Sequence, residues 1–187
     1  FQQVSDAPVG FATSVKITVA ATAAIAAGTN NNFGQAIEGF NLTDLGWGTA
    51  NAKAVTVSFW IKSSVVGTYS AHLRNIGDAY FYIATYTVNI ANTWEYKTIT
   101  IPGPVVGTWN STNGRGVLLR VVNLGNGSTF EGTSGSWQAG VKCATVGSVD
   151  FAAQVNGATL NITGVQLELG STATTFEQRP IGLEFSL

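Results

Sequence analysis

The chain has 187 residues, 45% of them apolar and only 10% charged, with a formal net charge of −1. That length suits one domain able to bury a core without metals or disulfides. The nine Lys and Arg are spread singly from Lys16 to Arg179, so there is no basic patch of the kind that neutralises a nucleic-acid backbone, and the apolar run Val19 to Ala27 is far shorter than the roughly 20 residues of a membrane-spanning helix.

The elements read as strands almost throughout. "SVKITVA" from Ser14 and "FGQAIEGF" from Phe33 are the first two. Between them lies an Ala-rich stretch, Ala20 to Ala27, where Thr22 and the following Gly28 argue against a helix. Ala54 to Lys62 alternates, with Val55, Val57, Phe59 and Ile61 on one face and Thr56, Ser58 and Trp60 on the other, the period of a half-buried strand. Gly67 to Asn75 does the same. Tyr69, Ala71 and Leu73 share one face, and Ser70, His72 and Arg74 form the polar one.

Tyr80 to Ile90 is rich in aromatic and β-branched residues, as strands are. In Trp94 to Ile101, Trp94, Tyr96, Thr98 and Thr100 oppose Glu95, Lys97, Ile99 and Ile101. "IPGP" then ends that strand, because proline has no amide hydrogen for a ladder. Gly116 to Leu124 reads as a buried strand. The Asn156-Gly157 pair is a turn signal. After it Leu160 and Ile162 share one parity while Val165, Leu167 and Leu169 take the other, and the phase change near Gly164 predicts a bulge.

Eight or so short strands separated by turn signals predict an all-β fold, an antiparallel β-sandwich of the jelly-roll type. The sandwich is expected to span 1–169, and 170–187 an extended exit segment leading to further chain or a neighbouring subunit. Two long loops, "GPVVGTWNSTNGRG" and "NLGNGSTFEGTSGSWQAG", have flexible compositions, and loops on a rigid sandwich are where binding usually sits.

Candidate chemistry is sparse. Cys143 and His72 are the only residues of their kinds, so a protein-built zinc site is not expected. Cys143 has the β-like surroundings of a small buried thiol. The ten Asp and Glu are scattered and nominate no dyad of the sort a glycosidase needs. No metal or other cofactor is predicted.

The aromatics are more informative, because sugar rings stack on flat aromatic faces while polar side chains read their hydroxyls. Trp47, Trp109 and Trp137 fall in Gly- and Ser-rich loops, and Trp109 is flanked by Asn110, Ser111, Asn113 and Arg115. The candidate glycan-binding residues are therefore Trp109, Asn110, Asn113, Arg115 and Trp137. The alternative is that these indoles plug the end of the core with their N–H groups bonded to carbonyls. Trp60 and Trp94, in strands, are expected to pack in the core or between sheets.

Several stretches together resemble a domain of bacteriophage tail-fibre and other virion-appendage proteins. They are "SDAPVGFATSVKIT", "AVTVSFWIKSSVVGTYS", "NTWEYKTITIPG", "GTWNSTNGRGVLLR", "SWQAG" and "ITGVQLELGSTATTFEQRP", which cover nearly the whole chain in order. The resemblance implies a jelly roll like that of carbohydrate-binding modules, carried in a longer fibre that works as a homotrimer with other virion proteins. It also implies a virion location, action outside the cell, and host-surface polysaccharide as a possible partner. The chain begins at Phe1 and contains no Met, so it is expected to be part of something longer. Phe176 is expected to tack the exit segment down, and with Leu183, Phe185 and Leu187 to make an oligomer contact. The bland alternative is that this apolar row folds back on its own sandwich.

Overall fold

Alternating residues build the core from two sides. Val55, Val57, Phe59 and Ile61 are all buried along one strand, and Tyr69, Ala71 and Leu73 along the next. The computed structural model describes residues 1–75, 77 and 80–177. Among them, ten strands form two antiparallel five-stranded sheets. The strands are β1 (Gln2–Val4), β2 (Ser14–Thr18), β3 (Asn30–Glu38), β4 (Val55–Ser63), β5 (Gly67–Asn75), β6 (Tyr80–Val88), β7 (Glu95–Ile101), β8 (Arg115–Asn126), β9 (Trp137–Ala139) and β10 (Thr159–Leu169). The first sheet runs β1-β2-β10-β4-β7 and the second β3-β8-β5-β6-β9. The all-β sandwich expectation is met.

The two inner faces meet in one hydrophobic cluster. The first sheet adds Ile99, Ile101, Leu160 and Ile162 to the β4 row, and the second adds Tyr82, Tyr86, Val88, Val117, Leu119 and Val121. The polar tips of the buried tyrosines are satisfied. Tyr86 donates its hydroxyl to the Val121 carbonyl at 2.8 Å, and Tyr69 bonds Ser63 Oγ at 2.9 Å and the Val65 carbonyl at 2.8 Å. Satisfying each of the two hydroxyls avoids the roughly 1–3 kcal/mol that a stranded buried one costs.

The predicted bulge is present. Thr163 pairs with Trp60 but Gln166 pairs with Ser58, so β10 carries one residue more than β4 there. Gly164 sits in it with φ of +59°. The bulge explains the parity switch: Leu160 and Ile162 point inward before it and Leu167 packs on the core after it.

Several boundaries differ from expectation. β1 and β9 were not foreseen, because three-residue edge strands carry too little pattern. The segment 20–27 forms no helix, as expected, but Gly39–Leu45 forms a 3-10 turn where a strand was expected to end. Trp94 precedes its strand rather than opening it.

A larger difference lies on the outside of the second sheet. Ser70 and His72, predicted on a polar face, do lie on the face away from the core, but each is only 1% exposed. The segment after β8 lies across them, and so does not behave as a loose loop. Val149 N–H bonds the Thr68 carbonyl at 2.7 Å, Gly135 N–H the Ile83 carbonyl at 2.8 Å, and Ser70 Oγ meets Ser148 Oγ at 2.6 Å. Phe81 and Ile83 are buried beneath it, together with its own Cys143 and Ala144, outside the intersheet cluster. The expectation of a buried thiol at Cys143 is met.

Candidate functional site

Trp47, Trp109 and Trp137 come from three separate places in the chain and meet at one end of the sandwich. Trp47 follows the 3-10 turn, Trp109 sits in the β7–β8 connection, and Trp137 opens β9 opposite Tyr82. Their rings are edge-to-face, with centroids 4.8 Å apart for Trp47–Trp109, 5.9 Å for Trp47–Trp137 and 5.3 Å for Trp109–Trp137. Edge-to-face packing sets the positive rim of one ring against the negative face of the next.

Each indole N–H is used. Trp47 Nε1 donates to the Lys53 carbonyl at 2.9 Å, Trp109 Nε1 to Val106 at 3.1 Å, and Trp137 Nε1 to Pro102 at 2.6 Å. Trp47 is 7% exposed, and Trp109 and Trp137 are half-buried against the core. Gly107 lets the connecting loop lie close: its φ is +92°, and a Cβ there would stand 2.7 Å from the Tyr80 ring.

The flanking polar residues divide. Asn110 is a staple of its own loop, since its Nδ2 donates to the Arg115 carbonyl at 3.0 Å and its Oδ1 accepts from Thr112 N–H at 3.0 Å and Thr112 Oγ1 at 2.7 Å. Asn113 and Arg115 are exposed nearby. A hollow of about 730 Å³ opens on the outer side of Trp109, lined also by Tyr80, Asn75, Thr108, Asn110 and Ser111. The structure thus brings Trp109 and Asn110 to one hollow, while Trp137 packs against Trp109 and neither Asn113 nor Arg115 lines the hollow. The part of Asn75 was not anticipated. Its signal was the hairpin from β5 to β6, which sets the end of one strand beside the Tyr80 that starts the next; Asn75 Oδ1 accepts from Tyr80 N–H at 3.1 Å.

Trp60 and Trp94 correct the expectation of core or intersheet packing. Both lie half-buried on the outer side of the first sheet, as the alternation of β4 and of the run entering β7 required. Trp94 Nε1 donates to Asp6 Oδ1 at 3.3 Å, and Lys62 Nζ stands 5.3 Å from its ring centre while pairing with Asp6. Phe176 lies half-buried against Phe11 of the same chain, ring centroids 5.1 Å apart. Leu183, Phe185 and Leu187 lie outside the described residues, as do Asp78 and Glu184.

Asp6, Glu95, Glu168 and His72 are drawn into the fold. Burial pushes Glu95 up, but hydrogen bonds from Lys97, from the Ile90 N–H and from Asn89 outweigh it and hold the carboxyl at about 2. The Lys62 hydrogen bond lowers Asp6 despite partial burial. Hydrogen bonds from Thr174 and Gln166 lower Glu168. A general acid needs its carboxyl pushed the other way. Burial lowers His72 to about 3, helped by the charges of Arg120 and Arg74 and opposed by the Cys143 carbonyl and the Asn123 side chain. Neither ring nitrogen has a hydrogen bond of good geometry. Among the described residues, no three His, Cys, Asp or Glu come together as a metal-holding group. No protein-family model matches this chain, and no curated protein matches it in sequence.

Proposed function

We propose that this chain is a structural module of a virion fibre or tail appendage, which builds the appendage with copies of itself, as a homotrimer, and with other virion proteins. Its place of action is the virion surface, outside the cell. The observation that carries this reading is the employment of the chemical side chains. Trp109, Trp137, Asn110, Asp6, Glu95 and Glu168 all hold the sandwich or its loops together, and His72 is buried away from solvent. A molecule built to bear load uses its polar and aromatic groups in this way, whereas an enzyme leaves some poised for substrate. The strand orders β2-β10-β4-β7 and β3-β8-β5-β6 within the two sheets support a jelly roll like that of carbohydrate-binding modules, which accords with the tail-fibre resemblance.

One observation favours a second reading, recognition of host-surface polysaccharide through the loops: the hollow beside Trp109 has the size and aromatic wall of a ligand site. A glycan and polysaccharide array, probed with the wild type and with the Trp109→Ala, Trp137→Ala double variant, separates the two. The structural reading expects the variant, if folded by circular dichroism, to bind the array no differently from the wild type. Specific binding lost in the folded variant would replace the first reading with the second. Release of reducing sugar from any polysaccharide on that array would overturn the non-enzymatic assignment.

A further inference from the structure

The outer face of the first sheet carries a second aromatic feature, distinct from the tryptophan plug. Trp60 of β4 and Tyr96 of β7 are direct cross-strand partners. Their rings lie 5.2 Å apart at 45°, and Tyr96 is 44% exposed. Phe11 and Phe176 form a wall beside them, so that a cleft of about 460 Å³ stands over the sheet with Ser58 on its floor. The described part of the exit segment makes the far side. It is bound to the sheet by Thr56 Oγ1 to the Gly170 carbonyl at 2.8 Å, Gly170 N–H to the Ala54 carbonyl at 2.8 Å, and Thr174 N–H to the Glu168 carboxylate at 3.1 Å.

The bulge makes room for this wall. At Gly164 a Cβ would lie 2.6 Å from Phe11 Cζ, so only the absence of a side chain there lets the Phe11 ring reach the sheet.

We propose that this cleft is a binding site for a neutral sugar ring of a polysaccharide. Three observations select that occupant. The lining bears no carboxylate, ammonium or guanidinium group, so neither an anionic nor a cationic ligand finds a counter-charge, and desolvating one without a partner is costly. The platform consists of rigid aromatic faces, which take the C–H face of a sugar with little loss of side-chain freedom. Ser58, Thr174 and Thr175 line the cleft with the rings, the Thr174 hydroxyl itself being held by Glu168 and Gln166, the mixture of apolar wall and few polar groups that orients a small ligand. An aliphatic peptide or lipid surface would leave those polar groups unmatched.

The test uses the whole chain on a glycan array that spans neutral and acidic oligosaccharides and polysaccharides, followed by titration of the best neutral binder with tryptophan fluorescence as readout. Tyr96→Ala and Trp60→Ala are each expected to weaken binding at least about tenfold, and Val146→Ala, at an exposed residue outside the cleft, to leave it unchanged. Tyr96 is exposed enough for its removal to spare the fold, so Tyr96→Ala decides the matter if Trp60→Ala unfolds. Absence of binding across the array, binding confined to acidic glycans, or binding indifferent to Tyr96→Ala would each overturn the proposal. So would a Tyr96→Ala variant whose one changed property is weaker self-association, because the occupant would then be another copy of the chain. The molar mass of the wild type is measured separately, so the appendage reading and this site fail or stand independently.

Discussion

Replacing Trp109 by alanine separates a plug from a platform. A Trp side chain buries about 150–250 Å² when fully covered, and at roughly 25 cal/mol per Å² a half-buried one contributes about 2–3 kcal/mol. The two edge-to-face contacts, to Trp47 at 4.8 Å and Trp137 at 5.3 Å, add about 0.5–1.5 kcal/mol each. Burial computed against an extended chain overstates the gain, and the Val106 carbonyl left behind is open to water. The net expectation is therefore a loss of about 2–4 kcal/mol, which for a domain of this size lowers Tm by roughly 5–15 °C. Urea unfolding of Trp109→Ala, Trp137→Ala and the double variant forms a cycle, with a coupling of about 0.5–1.5 kcal/mol expected between the two rings. A cost below about 0.5 kcal/mol, the ordinary value for an exposed surface side chain, together with no coupling, would refute the plug.

Three further outcomes test the same account. His72 is held neutral by burial down to about pH 3 against an ordinary value of 6.5, so the unfolded chain takes up the proton first. Its contribution to stability is complete above about pH 6.5 and falls by about 1.4 kcal/mol per pH unit below it. Urea unfolding should show a smaller loss between neutral and mildly acid pH in His72→Gln than in the wild type, and equal slopes would contradict this. Glu95, lowered from 4.5 to about 2, contributes in the same direction over a more acid range: its stabilisation is present above about pH 4.5 and lost as pH falls towards about 2. Glu95→Gln should cost about 1–3 kcal/mol at neutral pH, with the gap to the wild type closing in strong acid, as measured by thermal unfolding. Gly164→Ala places a side chain at positive φ and against Phe11. It should cost about 1–2 kcal/mol, and an unchanged Tm would show that the bulge glycine is not required.

Much of the sandwich was legible because its strands obey period two. Val55 to Ile61 and Tyr69 to Leu73 announced their inner faces, and the parity change between Ile162 and Leu167 announced the bulge. The same rule already set Trp60 outward with Thr56 and Ser58. Treating it as a core residue gave the hydrophobicity of an indole more weight than its position, and an outer sheet face flanked by an exit segment half-covers a Trp. His72 escaped for the complementary reason. Alternation tells which side of a sheet a residue takes, but not whether another segment lies on that side, and the cover comes from residues well over fifty positions away. The site suffered most from this. Trp47, Trp109 and Trp137 were each visible as loop indoles, but their meeting depends on three connections whose geometry no local pattern encodes.

The most direct measurement is the molar mass of the 187-residue chain in solution, by light scattering coupled to size exclusion over a wide range of concentration. The account predicts a species three times the 19.5 kDa chain mass that persists on dilution. A monomer at every concentration would contradict it.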